Sequence, residues 1–346
     1  MANYISFQPS DFFGTKIYTG TGATHNVTGV GFQPDFVWMK RRDGSASHRL
    51  CDSVRGATEL LQSNASDAEQ TGADTLTSFD SDGFTLGADA APYKVNVSGQ
   101  TMVSWNWKMG TTSGLTGGSL TPTAYSINTT AKQGIYTYTG TGSTATIAHG
   151  LGVTPTAIFI KKTSGAENWA VYSKSMGNTK YTILNTYGAI QTGTAFWNDT
   201  SPTDTVFTIK DNVSVNTSGQ TYVAYVFCDT PGYFKQGAYT GNGNTDGALV
   251  YTGFAPSYVF LKNDADSENW HAYDNKRNAY NVRSLTLDPD QANAEYTIAN
   301  GVDFLANGFK WRQAQAYSND PTYTYVYMAF AEHPFVGSGT NPVTAR

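Results

Sequence analysis

A ten-residue pattern, Gly-x-x-Pro followed by apolar residues and a closing Lys, occurs three times along the chain. Glycine and proline are turn residues, whereas β-branched and aromatic residues fit the pleated surface of a buried strand. Each copy therefore predicts a turn leading into a buried strand, and a repeated strand predicts a repeated unit. The defining positions are Gly31, Pro34 and Lys40, then Gly152, Pro155 and Lys161, then Gly253, Pro256 and Lys262.

Further blocks recur at fixed distances from this pattern. A Tyr-Thr-Gly-x-Gly turn precedes each copy, and a second predicted strand begins seven residues after each Lys (47−40, 168−161 and 269−262). No helix pattern and no Gly-Lys-Ser/Thr follows the glycine-rich turns, so they do not predict a phosphate-binding loop. The turns begin at Tyr18, Tyr138 and Tyr239.

The spacing of these blocks predicts an all-β fold of three tandem antiparallel β-sandwich modules, jelly-roll-like in type. Short strands broken by Gly, Asn, Asp and Pro turns fit that class, whereas a parallel α/β sheet would need helical crossovers. The first module is expected to be looser than the other two, because a longer connection follows it. The predicted units are a module at 1–109, a linker at 110–131, a module at 132–231, and a module with a C-terminal tail at 232–346.

Composition narrows the classes of protein that the chain can belong to. Aromatic residues make up 14% of the 346 residues, which is more buriable surface than disordered chains carry. The net charge of −5 comes from scattered carboxylates, so no nucleic-acid partner is expected. Lys40, Arg41 and Arg42 run together, and we interpret them as a solvated strand end. The sequence shows no signal-peptide pattern and no apolar run long enough for membrane insertion.

The two cysteines, Cys51 and Cys228, fall in different copies of the repeat, which excludes a disulfide within one module. We interpret them as two lone buried thiols, although a bridge between modules stays open at this point.

No pattern of catalytic or metal-ligating residues stands out. The five histidines form no His-x-x-His or Cys-His cluster, so neither a zinc site nor a cofactor is expected. The carboxylate pairs Asp80 with Asp82 and Asp264 with Asp266 could act in glycoside hydrolysis or bind Ca²⁺. Both pairs lie among turn residues, where Asp is common for conformational reasons, so we interpret them as surface turns and predict no enzyme activity.

The candidate binding residues are aromatic and imidazole side chains at one repeated position. Trp169 and Trp270 occupy it in the second and third copies, His48 occupies it in the first, and His271 follows Trp270. Such rings stack on sugars and on protein interfaces, so these four residues are candidate surface-binding residues. The alternative is that a ring at a repeated strand position belongs to the core, and we favour that alternative for the tryptophans.

Several segments together resemble a β-rich repeat family found in virion proteins of tailed bacteriophages. The resemblance covers nearly the whole chain and implies a tail, fibre or other particle-surface protein without catalytic residues. It implies a virion location after synthesis in the host cytoplasm. The segments that carry it are FQPSDFF, YTGTG, GFQPDFVWMKRRDG, SHRLCDSVRG, SFDSDGFTLG, SWNWK and YMAFAEHPF.

Three functions remain as hypotheses. The first is a non-enzymatic phage structural protein, of the tail fibre, adhesin or capsid-decoration type, that serves particle assembly and host-surface attachment. Its expected partners are other tail or capsid proteins, further copies of itself and a host-surface glycan. The second is a carbohydrate-binding, lectin-like protein. The third is a polysaccharide-degrading glycoside hydrolase.

Overall fold

The computed structural model describes residues 6–89, 93–265 and 267–334. In these residues the fold is almost entirely antiparallel β-sheet, which confirms the predicted all-β class. A 3₁₀ turn at Pro9–Asp11 and two four-residue helices, α1 (Thr194–Trp197) and α2 (Val213–Asn216), complete it. The predicted C-terminal tail and Asp266 lie outside the described residues.

Three larger sheets, one from each repeat, form the body of the molecule, with strands numbered in chain order. The first sheet has the order β1 (Phe13–Thr19), β9 (Thr101–Trp107), β3 (Phe36–Arg41), β4 (Arg49–Asp52), β5 (Gly56–Leu61), β6 (Gln70–Thr71). The second has the order β10 (Ala124–Asn128), β11 (Gln133–Thr139), β18 (Thr221–Phe227), β13 (Ala157–Lys162), β14 (Ala170–Ser173), β15 (Lys180–Ile183), β16 (Gln191–Thr192). The third has the order β19 (Phe234–Thr240), β26 (Thr324–Pro334), β21 (Phe254–Asn263), β22 (His271–Asp274).

Each repeat also carries a second sheet, here called its small sheet, which packs against the large one and has three, two and four strands in the three repeats. The small sheets are β2 (His25–Thr28), β8 (Gly83–Leu86), β7 (Leu76–Asp80); then β12 (Ala145–Ala148), β17 (Val206–Ile209); then β20 (Leu249–Tyr251), β25 (Gly308–Trp311), β24 (Tyr296–Leu305), β23 (Arg283–Thr286).

The Gly-x-x-Pro pattern leads into the central strand of each large sheet: β3, β13 and β21. Each of these strands pairs on one side with the strand that closes its repeat and on the other with the next strand along the chain. The glycines Gly31, Gly152 and Gly253 have φ values of +92°, +69° and +84°. Glycine adopts this left-handed conformation without steric cost, so the pattern requires it there.

The central strands are buried on both faces because each large sheet lies between two cores. In β3, Phe36 and Trp38 point into an aromatic core that all three large sheets share. The alternate residues, Val37 and Met39, point into a second core under the small sheet of the same repeat. The other two repeats follow the same plan. The shared core leaves a cavity of about 30 Å³ between its rings.

Part of the segment 110–131, which was predicted to be a linker, joins a sheet. Strand β10 extends the second large sheet by pairing with β11, and Leu120 and Ile127 are buried. Small and polar residues dominated the prediction, but these two apolar side chains find a place in the second core. The first repeat also contributes Trp105 and Trp107 to the shared core, which does not agree with the looseness expected of it.

Candidate functional site

All four predicted binding residues are buried, with exposed fractions of 4% or less, and His48, Trp169 and Trp270 lie at the junctions between repeats. At one repeated position, a ring nitrogen reaches a backbone carbonyl of a neighbouring repeat. The three contacts run from repeat 2 to 1, from 3 to 2 and from 1 to 3, so they close a ring. They are Trp169 Nε1 to the Gln62 carbonyl at 2.7 Å, Trp270 Nε1 to the Ile183 carbonyl at 3.1 Å, and His48 Nε2 to the Asp288 carbonyl at 3.1 Å.

The carbonyls that accept these bonds also occupy one repeated position. Two residues after each of these carbonyls, a side-chain oxygen accepts the backbone N–H of the ring residue that belongs to its own repeat. The pairs are His48 with Asn64, Trp169 with Asn185, and Trp270 with Asp290. The ring position is therefore a structural element of the junction, as the core interpretation expects, and it offers no accessible ring to a glycan.

His271 is also buried, so it does not form a surface contact. Its Nδ1 lies 3.0 Å from Oδ1 of Asp288, a close contact that is not aligned as a hydrogen bond. The hydroxyl of Tyr296 donates to the same carboxylate oxygen at 3.0 Å.

The three repeated lysines lie at the same junctions. Each ammonium donates to a backbone carbonyl of a neighbouring repeat, and each lysine is 1% exposed or less. The three contacts are Lys40 to Ala292 at 3.3 Å, Lys161 to Ser66 at 3.1 Å, and Lys262 to Tyr187 at 3.0 Å.

Burial lowers the pKa of Lys40 to about 7 and that of Lys161 to about 8, because an ammonium loses its hydration. The interpretation of Lys40 as part of a solvated strand end is therefore wrong. Its strand is buried on both faces, so the side chain at that position enters the junction rather than the solvent.

A buried ionic network crosses two of the three junctions. Asp274 accepts from Arg277 at 2.5 Å and from Trp105 of the first repeat, and Arg277 also contacts Glu295 at 3.0 Å. Burial alone would raise the pKa of Asp274, but the charge and hydrogen bonds of Arg277 and the bond from Trp105 hold it below its ordinary value.

The matching network contains Asp52, Arg55 and Glu69, and Tyr225 of the second repeat donates to Asp52 at 2.7 Å. At the junction between the second and third repeats, the residues equivalent to Asp52, Arg55 and Glu69 are Ser173, Met176 and Ile190. The residue equivalent to Trp105 and Tyr225 is Met328, whose side chain has no N–H or O–H to donate. At this junction, uncharged residues therefore replace the three charged residues and their hydrogen-bond donor together.

The Tyr-Thr-Gly-x-Gly turns are held by an asparagine that sequence reasoning missed. In the second repeat, Asn216 Oδ1 accepts the N–H of Thr141, and the Tyr138 hydroxyl donates to the carbonyl of Val215. A Cβ on Gly140 would lie 2.3 Å from the carbonyl oxygen of Thr217, so only glycine fits. The same clamp uses Asn96 and Asn319 in the other repeats. The sequence contains a signal for this clamp, since the three asparagines fall at the same position when the sequences of the three repeats are aligned.

An inserted loop distinguishes the third repeat. The spacing between two matched positions is 64−52 = 12 and 185−173 = 12, but 290−274 = 16, so four residues are added there. The added residues lie between β22 and β23. Two asparagines hold this loop: Asn281 exchanges two hydrogen bonds with the main chain of Phe304, and Asn278 accepts the N–H of Ser284.

The loop presents Tyr280, which is 76% exposed, to the solvent. Most of the exposed large apolar side chains in the described residues lie in this repeat. They are Leu249, Tyr251, Tyr280, Val282 and Tyr296, with Tyr187 and Val213 in the second repeat.

A family model described as a domain of unknown function, DUF7483, matches residues 8–334. The chain belongs to the DUF7483 family. The match spans all three repeats, so one family model covers the ring as a unit. No curated protein and no solved structure matches the DUF7483 chain.

Three of the four carboxylates considered as catalytic or calcium-binding groups of the DUF7483 chain take part in turns, and the fourth, Asp266, lies outside the described residues. Asp82 accepts the N–H groups of Gly29 and Gly31, Asp80 accepts the hydroxyl of Thr85, and Asp264 accepts the N–H of Thr324. Within the described ranges no three His, Cys, Asp or Glu side chains are grouped as metal ligands would be.

Both cysteines are buried free thiols, which confirms that interpretation. A search of the helices in the described residues finds none with the length and apolar character of a membrane span.

Proposed function

We propose that this DUF7483 chain is a non-enzymatic structural protein of a tailed-bacteriophage particle, of the tail fibre, adhesin or capsid-decoration type. In this proposal it is a rigid three-unit body that attaches to other particle proteins, to copies of itself or to the host surface. We further propose that each repeat is a β-sandwich of the jelly-roll type. The resemblance of the sequence to virion proteins supports the first statement, and the two stacked sheets of each repeat support the second.

The observation that carries the attachment role is the inserted loop of the third repeat. Insertions in repeat proteins fall in loops on one face, and that face is often the binding face. Tyr280 is exposed, but its loop is fixed by Asn278 and Asn281. A rigid, exposed tyrosine loses little conformational entropy on binding, so it is a suitable anchor for a protein interface.

The experiment that tests the virion assignment is the analysis of washed particles of a phage that encodes this sequence. Mass spectrometry should detect the chain, and density of the intact particle should show it in symmetry-related copies. Absence of the chain from washed, infective particles would rule the assignment out.

The role of the loop is tested by replacing Tyr280 and Val282 together with serine. The double variant should fold normally but should associate at least tenfold more weakly with particles that lack the native chain. Tyr187→Ser is the matched control, because Tyr187 is 57% exposed but lies outside the loop. Equal association of both variants would remove the loop from the proposal.

The second candidate, a carbohydrate-binding protein, is favoured by the exposed rings of Tyr187, Tyr251 and Tyr280. Exposed tyrosines stack on sugar rings and also offer a hydroxyl to the solvent side. A glycan array separates the two candidates. Binding that is lost in Tyr280→Ser would support the second candidate, and no binding to any glycan would leave the particle-assembly role.

A further inference from the structure

Two ring positions, ten residues apart, recur in each repeat, and the first repeat differs from the others at both. The second and third repeats have phenylalanine and then tryptophan, whereas the first has tryptophan and then histidine. The pairs are Phe159 with Trp169, Phe260 with Trp270, and Trp38 with His48. Of these side chains only the histidine can gain a charge near neutral pH.

The hydrogen bonds of His48 fix its protonation state. The indole Nε1–H of Trp38 donates to Nδ1 of His48 at 2.8 Å, and an indole nitrogen can only donate. Nδ1 is therefore unprotonated, and the ring proton lies on Nε2, which donates to the carbonyl of Asp288 at 3.1 Å. A second proton, on Nδ1, would face the N–H of Trp38. The charged ring must therefore break this hydrogen bond.

The surroundings of His48 also oppose a positive charge. The ring is fully buried, and this burial lowers the pKa of His48 well below its ordinary value of 6.5. The nearby cations Lys40, Arg277 and Arg49 lower the pKa further, and only the hydrogen bond to the Asp288 carbonyl raises it. The histidine is neutral in the closed junction.

The carboxylates near the ring are engaged elsewhere. That of Asp288 contacts His271 and accepts from the hydroxyl of Tyr296. That of Asp274 accepts from Trp105, whose ring lies nearly parallel to the imidazole with 6.5 Å between the ring centres. Since both imidazole nitrogens already have other partners, neither carboxylate is placed to pair with a charged ring.

The histidine belongs to a row of contacts that holds one segment of the third repeat, residues 288–295, against the first repeat. We call these residues the closing segment. Beside the contacts of His48 and Lys40, the row consists of Ser63 Oγ to the Pro289 carbonyl at 2.6 Å, the Ala46 N–H to the Ala292 carbonyl at 2.9 Å, and the Glu295 N–H to the Arg42 carbonyl at 2.8 Å. His48 binds the first residue of the closing segment.

We propose that His48 makes the junction between the third and first repeats an acid-sensitive latch, in which protonation of Nδ1 breaks the bond from Trp38 and releases the closing segment. Trp169 and Trp270, at the same position of the other two junctions, have no proton to gain. The ring of repeats therefore loosens at one junction only. This inference holds whether or not the chain is a virion protein.

The direction of the pH dependence follows from the state of His48. Its pKa is lowered in the folded chain, so the stability it contributes is fully present above pH 6.5 and is lost as the pH falls below that value. Asp290, in the closing segment, acts in the opposite direction, because burial raises its pKa to about 6. The effect of His48 is therefore measured as a difference from a variant without the histidine.

Amide hydrogen exchange at pH 7.5 and pH 5 tests the proposal in the native chain and in the double variant Trp38→Phe, His48→Trp. The variant copies the ring pair of the other two repeats. In the native chain the protection factors of Ala46 and Glu295 should fall at least tenfold at pH 5, because each pH unit below 6.5 favours the protonated, open form by about tenfold. In the variant they should not fall.

The internal control is the junction between the first and second repeats. There the N–H of Glu167 donates to the carbonyl of Ser66, and the N–H of Glu69 donates to the carbonyl of Thr163. The protection factors of these two amides should stay the same at both pH values, in the native chain and in the variant.

Three results would overturn the proposal. An equal loss of protection at both junctions of the native chain would mean that acid loosens the whole ring. An equal loss in the variant and the native chain would mean that another group carries the response. If circular dichroism shows the variant to be unfolded, the ¹⁵N chemical shifts of His48 in the native chain decide. Loss of protection at Ala46 while Nδ1 stays unprotonated would then refute the latch, and loss together with imidazolium formation would support it.

Discussion

The indole Nε1 of Trp105 donates a hydrogen bond of 3.1 Å to Oδ2 of Asp274, a residue 169 positions further along the chain. This bond joins the first repeat to the third, which no direct connection of the chain links. The guanidinium of Arg277 lies over the ring of Trp105, 5.6 Å from its centre, and completes the contact. The junction that closes the ring is therefore held by a buried ionic network.

Removal of one partner from this network should be costly. In Arg277→Met, Asp274 keeps its charge in a buried site but loses its main counter-charge. We expect a loss of about 3–5 kcal/mol in the free energy of unfolding, because an uncompensated buried charge is left behind. Equilibrium unfolding in urea measures this loss.

The chain itself supplies the control for this prediction. The triple variant Asp274→Ser, Arg277→Met, Glu295→Ile copies the equivalent residues at the junction between the second and third repeats, which are Ser173, Met176 and Ile190. It removes Asp274, Arg277 and Glu295 together and leaves of this network only Arg42, a partner of Glu295 whose side chain is 18% exposed, so it should be more stable than Arg277→Met alone. A triple variant less stable than the single variant would contradict the view that the network matters as a unit.

Lys40 should make stability depend on pH in the alkaline range. Its pKa is lowered from 10.5 to about 7 by burial, so between these values the unfolded chain binds more protons than the folded chain. The stability it contributes is fully present above pH 10.5 and is lost as the pH falls through about 7. Lys40→Met should flatten the rise of the melting temperature between pH 7 and 10. Identical profiles for Lys40→Met and the native chain would refute this.

The first glycine of the Tyr-Thr-Gly-x-Gly turn should not tolerate a side chain. In Gly140→Ala the new Cβ would meet the carbonyl oxygen of Thr217 at 2.3 Å, so the main chain must move. We expect a loss of about 1–3 kcal/mol in thermal or chemical unfolding. Gly188→Ala is the matched control, since its Cβ would lie 3.7 Å from the nearest side-chain atom. The prediction fails if both alanine variants have the stability of the native chain.

The two thiols should be inert in the folded protein. Burial raises the pKa of Cys51 and of Cys228 to about 12, and the reactive form of cysteine is the thiolate. A thiol reagent at pH 8 should label neither cysteine in the native chain and both in guanidinium chloride. Rapid labelling of one cysteine under native conditions would show that its repeat opens locally.

The repeated blocks predicted the strands well because their signals are local. Gly31 and Pro34 set the turn, and the alternation of β-branched and aromatic residues after them sets the strand. The hairpin that follows Lys40 was predicted from the length of its connection and the turn residues Asp43 and Gly44, and it is present as β3 and β4. The turn glycines were also found, although the asparagines Asn96, Asn216 and Asn319 that hold them were not.

What the sequence by itself determined about this DUF7483 chain is the set of strands, their turns and the threefold repetition. Only the tertiary structure decided whether a given strand face is covered by the protein's own core or left for a partner. Trp38 and Trp105 could equally have faced a ligand, because an aromatic side chain on a strand looks the same whether it meets a partner or the protein's own core. The three large sheets pack on one another through contacts between residues that lie far apart in the chain, such as Trp169 with Gln62. Such contacts depend on how the repeats are arranged in space, and no local preference of the residues specifies that arrangement.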